Sequence, residues 1–295
     1  MFVSLLLACA PSPEDTAAAT DTQEPICGSA EGIGYVAPTL PNVMLAVDRS
    51  RSMADDGKWQ SLLAMTPYLE AVEASSNLGL TLYPAESDCD ATIAVPVSSD
   101  DDADLAIADA LSSSSPGGGT PIAAALRLIR QEGGMQDADR DNVVVLVTDG
   151  MPSCLGDAVE EAEALATAEV PIKLHVLGLG NGADQNQLSE LAEAAEPSTG
   201  PDNLYMAEDV EDLLGRLDHI AAALSPCTYA LEETVVADTL QVTVAGERLS
   251  ECEEADCVEG YAYDQDAASV TLAAVSCRAA LENGCPDVVF DGEVL

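Results

Sequence analysis

Two near-continuous apolar segments, each ending in an acidic residue, constrain the fold of this chain more than any other feature. The first reads NVMLAV and ends in Asp48, and the second reads NVVVLV and is followed by Thr148 and Asp149. Near-continuous apolar segments of this length are typical of strands buried on both faces, as in parallel sheets covered by helices. They therefore predict an α/β domain with acidic side chains at the carboxyl ends of strands.

The rest of the chain up to residue 224 alternates between strand and helix patterns. Further strands are predicted at 77–84, 91–97, 172–179 and 203–206, and helices at 58–74, 101–111, 121–131, 158–168, 185–194 and 210–224. This alternation predicts a doubly wound, mostly parallel six-stranded sheet, Rossmann-like, with helices on both faces and strand order 3-2-1-4-5-6. The first and fourth strands are then neighbours at the switch point. Pro96 predicts that the third strand is an antiparallel edge, and Pro67 predicts a break in the first helix.

Five side chains with hard oxygen atoms are expected at this switch point. Asp48 opens the sequence DRSRSM, and Thr120 follows three glycines and precedes Pro121, which is typical of a helix N-cap. Carboxylate and hydroxyl oxygens suit Mg²⁺ or Mn²⁺, and Ca²⁺ less well. The candidate metal ligands are Asp48, Ser50, Ser52, Thr120 and Asp149.

This set of residues resembles the metal ion-dependent adhesion site (MIDAS) of the von Willebrand factor A (VWA) domain, in which Asp-x-Ser-x-Ser is followed by a distant Thr and a distant Asp. The resemblance covers roughly residues 41–224. It implies that the two serines bind the cation directly, that the Thr and the two acids bind it directly or through water, and that one coordination position stays open. Arg51 departs from the pattern, since relatives often carry a small residue there. A long cation beside the metal would favour anionic ligands or partly screen the site.

The function implied by the resemblance is divalent-cation-dependent protein binding, in adhesion or envelope assembly, with a partner that presents an Asp or Glu carboxylate. The alternative is a structural envelope scaffold in which the metal only stabilises the loops. We do not expect an enzyme, because the chain has no G-x-S-x-G, H-E-x-x-H or phosphate-loop motif and offers no base near Ser50.

The charge balance excludes one class of partner. The chain has 53 acidic and 10 basic residues, a net charge of −43, which repels nucleic acid and anionic lipid. Two explanations of the acidity stay open. It either adapts the surface to saline surroundings or provides a field that attracts cations to the metal site.

The first residues, MFVSLLLAC, resemble the end of a bacterial lipoprotein signal peptide comprising residues 1–8, with Cys9 as the lipidated residue. The apolar stretch is too short to span a bilayer. No Lys or Arg precedes it, which leaves an earlier start open. Residues 9–40 are predicted to form a disordered tether. Because Ala10 rather than Asp follows the cysteine, the resemblance implies an outer-membrane lipoprotein of the cell envelope, similar to predicted myxobacterial ones, with its orientation open.

The remaining eight cysteines fit an exported protein with disulfide bonds. We expect Cys27–Cys227, since the two residues flank a domain whose ends lie close together. The other expected pairs are Cys89–Cys154, Cys252–Cys257 and Cys277–Cys285. Zinc bound by the last four cysteines is an alternative, opposed by the lack of a CxxC pair or a nearby histidine.

Residues 225–295 have a different pattern from the rest of the chain. Short alternating segments at 240–244, 261–263, 269–273 and 287–290 predict a small, disulfide-stapled β-rich C-terminal domain. Its composition is similar to that of C-terminal extensions in predicted myxobacterial lipoproteins. It either packs against the α/β domain or offers a further partner surface.

Overall fold

The computed structural model describes residues 32–36, 39–73, 76–98, 102–132, 134–150, 152–180, 183, 185–195, 203–224, 227–252, 260–273, 276, 280 and 288–295. The strands are β1 (Tyr35–Val36), β2 (Asn42–Asp48), β3 (Asn77–Tyr83), β4 (Thr92–Ser98), β5 (Asn142–Thr148), β6 (Ile172–Leu179), β7 (Leu204–Ala207), β8 (Thr228–Leu231), β9 (Gln241–Val244), β10 (Glu247–Arg248), β11 (Tyr261–Asp264), β12 (Ser269–Leu272) and β13 (Val288–Asp291). The helices are α1 (Lys58–Leu63), α2 (Leu69–Glu73), α3 (Ala103–Ser112), α4 (Ile122–Glu132), α5 (Ala158–Ala166), α6 (Gln185–Ala195) and α7 (Val210–Leu224). None of the helices in these ranges is both long enough and apolar enough to cross a bilayer.

Six strands form the central sheet in the order β4-β3-β2-β5-β6-β7, and every pair is parallel except β3 with β4. Counted along the chain, this order is 3-2-1-4-5-6, so the predicted doubly wound sheet is confirmed. Pro96 lies in the antiparallel edge strand, where its missing N–H is tolerated. Because Val47 of β2 pairs with Val147 of β5, the carboxyl ends of the two strands lie side by side.

The helices cover both faces of this sheet. Val43, Leu45 and Val47 of β2 pack with α1, α2, α3 and α7 on one face, whereas Met44 and Ala46 pack with α4, α5 and α6 on the other. Every residue of β2, β3 and β5 is buried. Full burial of one such aliphatic side chain contributes about 2 kcal/mol, so the strands are held firmly in register.

Two prolines decide where helices begin and end. The 3-10 turn Thr66–Tyr68 contains Pro67 and separates α1 from α2, which confirms the predicted break. The helix predicted from Pro121 begins one residue later, at Ile122. The carbonyl of Pro121 accepts from the Ala125 N–H at 3.1 Å, so Pro121 rather than Thr120 holds the N-cap position. Thr120 therefore stays in the loop before the helix.

A row of buried asparagines joins three strands at the amino end of the sheet. Asn77 donates from Nδ2 to Asn42 Oδ1 at 2.9 Å, and Asn42 donates from Nδ2 to Asn142 Oδ1 at 3.0 Å. Asn142 in turn donates from Nδ2 to the Asp137 carbonyl at 2.7 Å. Each amide supplies both a donor and an acceptor, so the row satisfies buried polar groups without any charge.

Two small antiparallel sheets, built from β1 and from the strands after α7, have strand orders β1-β8-β12-β11 and β10-β9-β13. Their core contains a cluster of aromatic rings: Tyr35 makes edge contacts with Tyr229 and Phe290 at centroid distances of 5.5 and 5.1 Å. The predicted β-rich C-terminal region is confirmed. Sequence patterns missed β8 and the two-residue strands β1 and β10, which are too short to show an alternation.

The first of these strands corrects the extent of the predicted tether. Tyr35 pairs with Leu231 of β8, and the Ile33 N–H donates to the Phe290 carbonyl at 2.7 Å. The prediction of a disordered tether over residues 9–40 is therefore wrong for residues 32–36. Ile33 and Tyr35 bury apolar surface in the C-terminal core, which offsets the entropy lost on ordering. Residues 1–8 and Cys9 lie outside the described residues.

Four cysteines lie within the described residues and bear on the predicted pairings. Cys89 and Cys154 form a disulfide bond, as expected from the sequence. Cys227 and Cys252 each take part in a disulfide bond as well. Because Cys252 is oxidised, the zinc alternative is wrong for that residue. Cys27, Cys257, Cys277 and Cys285 lie outside the described residues, so the other three pairings stay predictions.

Candidate metal centre

The site begins where β2 and β5 end beside each other. Asp48, the last residue of β2, is completely buried, and its Oδ2 accepts a hydrogen bond from Thr148 Oγ1 at 2.6 Å. Its Oδ1 accepts from the Ser50 backbone N–H at 2.7 Å. Burial raises the pKa of Asp48 to about 6, against the opposing effect of these hydrogen bonds, and the charge of Asp149 acts in the raising direction. Ionising this carboxylate is therefore less favourable in the folded protein than in water.

A chain of oxygen atoms links the two strand ends. The Ser50 and Ser52 hydroxyls are 3.1 Å apart, and Ser52 Oγ donates to Asp149 Oδ1 at 2.8 Å. Ser50 has extended backbone dihedrals just before the 3-10 turn Arg51–Gly57, so the chain reverses and both hydroxyls reach the same side. Asp48 joins this set through the Ser50 backbone N–H, so two carboxylates and two hydroxyls are linked along the edge. Thr148, which orients Asp48, is a site residue that the sequence reasoning missed, although it adjoins Asp149 in the strand-end TDG sequence.

Thr120 is brought to this edge by backbone contacts between two loops. The Gly117 N–H donates to the Arg49 carbonyl at 2.7 Å, and the Arg51 N–H donates to the Gly118 carbonyl at 3.3 Å. Gly118 has a φ of +78°, and a Cβ there would lie 2.9 Å from the ring of Pro84, so this position needs glycine. The loop therefore places the buried Thr120 beside the DRSRSM segment.

The Cys89–Cys154 disulfide lies beside the glycine-rich loop, at the rim of the site. Its neighbours hold the glycine-rich loop: the Asp88 carbonyl accepts from the Gly119 N–H at 3.1 Å, and Ser153 Oγ accepts from the Thr120 N–H at 2.8 Å. Leu155, which follows Cys154 in the chain, is 99% exposed. The rim of the site therefore combines a fixed backbone with one freely accessible apolar side chain.

A lysine that the sequence reasoning missed completes the site. Lys58, the first residue of α1, places its Nζ 2.6 Å from Asp149 Oδ2 and 3.3 Å from the Ser52 carbonyl. The expected cation beside the site was Arg51, but that residue is exposed. No spacing rule links Lys58 to Asp149, since they are 91 residues apart in the chain. The signal available in the sequence was a basic residue in the first turn of the helix that follows DRSRSM.

The donor set fits a hard divalent cation. The five predicted residues supply carboxylate and hydroxyl oxygens alone, and four of them are linked by hydrogen bonds to one another. No group of three or more His, Cys, Asp or Glu side chains is placed to hold a metal in the part of the chain that is described. A cation at this edge would therefore depend on the serine and threonine hydroxyls, which match Mg²⁺ and Mn²⁺ better than soft metals.

An open, doubly wound sheet with oxygen ligands at its switch point defines an α/β domain with a candidate cation site. The chain belongs to the von Willebrand factor type A domain family, whose sequence profile matches residues 42–219. A curated relative is the uncharacterised protein YwmD of Bacillus subtilis strain 168, 38% identical over 92 residues, which cover 31% of this chain and 40% of YwmD.

Solved structures of low sequence identity share the fold. Proximal thread matrix protein 1 of the mussel byssus, in a form described with a zinc-occupied MIDAS motif, has a TM-score of 0.51 at 17% identity, covering 68% of this chain and 52% of that one. The von Willebrand factor type A protein of Catenulispora acidiphila has a TM-score of 0.52 at 15% identity, covering 70% and 48%. The pilus adhesin SpaC of Lactobacillus rhamnosus GG, in its open conformation, has a TM-score of 0.53 at 14% identity, covering 79% and 37%. This chain thus spans about half or less of each of these relatives.

Proposed function

We propose that this chain is a divalent-cation-dependent binding protein whose site engages an Asp or Glu side chain of a protein partner. The observation that carries the proposal is the hydrogen-bonded series of residues from Asp48, which accepts from the Ser50 backbone N–H, through the Ser50 and Ser52 hydroxyls to Asp149. Domains of this family are generally interaction modules rather than enzymes. The resemblance of the five site residues to a MIDAS points in the same direction.

Each part of the site has a separate role in this proposal. Asp48, Ser50, Ser52, Thr120 and Asp149 would hold Mg²⁺ or Mn²⁺, which when bound offers a Lewis-acidic coordination position to the partner's carboxylate. The two strand ends fix the acidic side chains, and the hydrogen bonds of the serines orient their hydroxyls. Leu155 on the rim is exposed. In this proposal it contacts an apolar group of the partner.

The scaffold alternative has less support. In that alternative the cation is needed to order the loops around it. The loops are already joined by the backbone bonds of Gly117 and Arg51, and by the disulfide between Cys89 and Cys154. A cation bound among loops that are fastened in this way is available for a partner.

We also propose that the protein is anchored in the cell envelope through a lipid on Cys9, in the outer membrane. The disulfide-bonded state of Cys89, Cys154, Cys227 and Cys252 supports an exported protein, because disulfides persist in oxidising compartments. An extraction with detergent tests the anchor: the wild-type protein is expected in the detergent phase, and a Cys9→Ser variant in the aqueous phase.

Calorimetric titration with Mg²⁺ tests the metal site. Wild-type protein is expected to bind the ion, and Asp48→Ala and Thr120→Ala are expected to lose binding while remaining folded, because both side chains lie at the edge of the core. Asp141→Ala is the matched control, since it removes an exposed acid at the opposite end of β5. Unchanged affinity in both site variants would show that the ion binds elsewhere.

Release of a captured partner distinguishes binding from scaffolding. Envelope proteins retained by the immobilised wild-type protein in Mg²⁺ are expected to elute with EDTA and to be absent from the Asp48→Ala column. A scaffold would keep its partner after chelation and show only a lower melting temperature. The proposal requires that the eluted partner lose binding when its Asp or Glu at the contact is replaced by Asn or Gln.

A further inference from the structure

The candidate cation site already contains a cation supplied by the chain itself. The Lys58 ammonium contacts Asp149 Oδ2 at 2.6 Å, and the side chains of Lys58 and Asp149 are 13% and 1% exposed. An ion pair this well shielded from water interacts far more strongly than one on the surface. Among the described residues, no other basic side chain contacts either of the two site carboxylates.

The backbone before α1 aims Lys58 at the site. Asp56 and Gly57 have φ angles of +55° and +74°, so two successive left-handed residues turn the chain back just before the helix begins. Non-glycine residues adopt this conformation rarely, which marks the turn as a fixed feature. The turn lets the Lys58 side chain return across the site instead of pointing into solvent.

A glycine on the neighbouring strand end leaves room for the lysine. Gly180 follows β6 with a φ of +78°, and a Cβ at this position would lie 3.0 Å from Lys58 Cε. The stem of Lys58 therefore packs against the backbone at Gly180. The position of the ammonium is defined by the fold and not only by its attraction to Asp149.

The charges show what this ammonium does to the site. Asp48 and Asp149 together carry two negative charges when ionised, and Lys58 cancels one of them. A divalent cation bound through Asp149 Oδ1, on the Ser52 side, would share one carboxylate with the ammonium at Oδ2, and a cation that used both oxygens would have to displace the ammonium. Both effects oppose binding of the ion, since like charges a few ångströms apart repel strongly in a shielded site.

We propose that Lys58 is an internal counter-ion that competes with the divalent cation for Asp149 and sets the concentration at which the site fills. This inference rests on the proposed cation site. In consequence the site stays empty at low divalent-ion concentration, where Lys58 neutralises the Asp149 carboxylate. It fills only where the ion is plentiful.

Replacing the charge while keeping the length of the side chain tests the proposal. Lys58→Met is expected to bind Mg²⁺ at least about tenfold more tightly than wild type by calorimetry, because the competing charge is gone. The melting temperature without metal should fall, since Asp149 loses its partner, while the increment produced by Mg²⁺ should grow. Lys173→Met is the control: Lys173 pairs with the exposed Asp141 at the far end of β5 and should change neither quantity.

The possible outcomes separate this inference from the cation site itself. Affinity that is unchanged or weaker in Lys58→Met, with normal binding by wild type, would overturn the role of Lys58 and leave the cation site intact. If neither protein bound Mg²⁺, both the site and the inference would be wrong. If Lys58→Met did not fold, Lys58→Gln, which keeps a hydrogen-bond donor, takes its place with the same expected tenfold gain, and an unchanged affinity there would count equally against the proposal.

Discussion

The two ends of the parallel sheet are built from the same strands but treat buried polar groups in opposite ways. At the amino end, Asn42, Asn77 and Asn142 satisfy one another through a row of neutral hydrogen bonds. At the carboxyl end, Asp48 and Asp149 are equally buried but bring only acceptor atoms and negative charge. In the described part of the chain, Lys58 supplies the one contacting counter-charge.

This difference separates an end closed by its own hydrogen bonds from the end that carries the proposed cation site. An amide is both donor and acceptor, so a row of amides closes on itself and needs nothing from outside. A pair of carboxylates has no donor of its own and depends on donors or a cation from other residues or a ligand, and for Asp48 burial outweighs the donors present. Buried carboxylates at one end of a sheet, opposite an end where a row of buried asparagines joins three strands, are therefore better explained by a ligand than by stability.

The largest expected effect concerns the pH dependence of stability in the metal-free protein. The pKa of Asp48 is raised from its ordinary value of 3.8 to about 6. The contribution of this group to the free energy of unfolding is therefore fully present below pH 3.8 and is lost as the pH rises through 6. A shift of this size is worth about 3 kcal/mol. Asp48→Asn has no charge to bury, so it should unfold at higher urea concentration than wild type at pH 7.5 and at a similar concentration at pH 3.5. If the urea concentration needed for unfolding depended on pH in the same way in both proteins, Asp48 would not be the buried group with the raised pKa.

An intermediate effect is expected from the amino end. Asn142→Ala removes the acceptor of Asn42 and two donated bonds, which should destabilise the protein by about 2 kcal/mol at pH 3.5 and pH 7.5 alike, without a change in Mg²⁺ affinity. Urea unfolding and calorimetry measure the two quantities. Thr39→Ala, which loses a single exposed hydrogen bond at the same end, is the control and should cost less than about 0.5 kcal/mol. Weaker Mg²⁺ binding in Asn142→Ala would mean that the two ends are coupled.

The smallest effect concerns the diffuse charge of the whole molecule. With a net charge of −43, self-repulsion is screened over a Debye length of about 10 Å at 0.1 M salt, so the melting temperature should rise by a few degrees with NaCl. Asp149→Ala should keep this rise and lose the additional step produced by Mg²⁺. A melting temperature that is flat from low to molar NaCl would show that the acids are too dispersed to matter and would remove the case for adaptation to saline surroundings.

The sequence predicted the sheet because its signals are local and repeated. Apolar strands, the proline in β4 and the turn sequences after each strand determine order and direction without knowledge of any contact. The five oxygen-bearing residues were predicted for the same reason, since strand ends that lie at one edge of a sheet bring their loops together.

The features that the sequence did not predict depend on long-range geometry. Lys58 reaches Asp149 only because Asp56 and Gly57 adopt left-handed conformations and Gly180 leaves space, and no local pattern reports such a combination. Tyr35 joins the C-terminal sheet through a strand of two residues, which is too short to show an alternation. In both cases the decisive contact is made by a single side chain far away in the chain.

If the proposed partner binding is correct, the bond between Cys89 and Cys154 affects how fast and how selectively the partner is recognised. Closing a loop across a separation of 65 residues removes about 4 kcal/mol of chain entropy from the unfolded protein in the simplest polymer estimate. The same covalent link joins two loops of the rim in the folded protein, so less binding free energy would be needed to order them when a partner docks. A rim of this kind favours rapid docking of rigid partners and discriminates against those that would require it to deform.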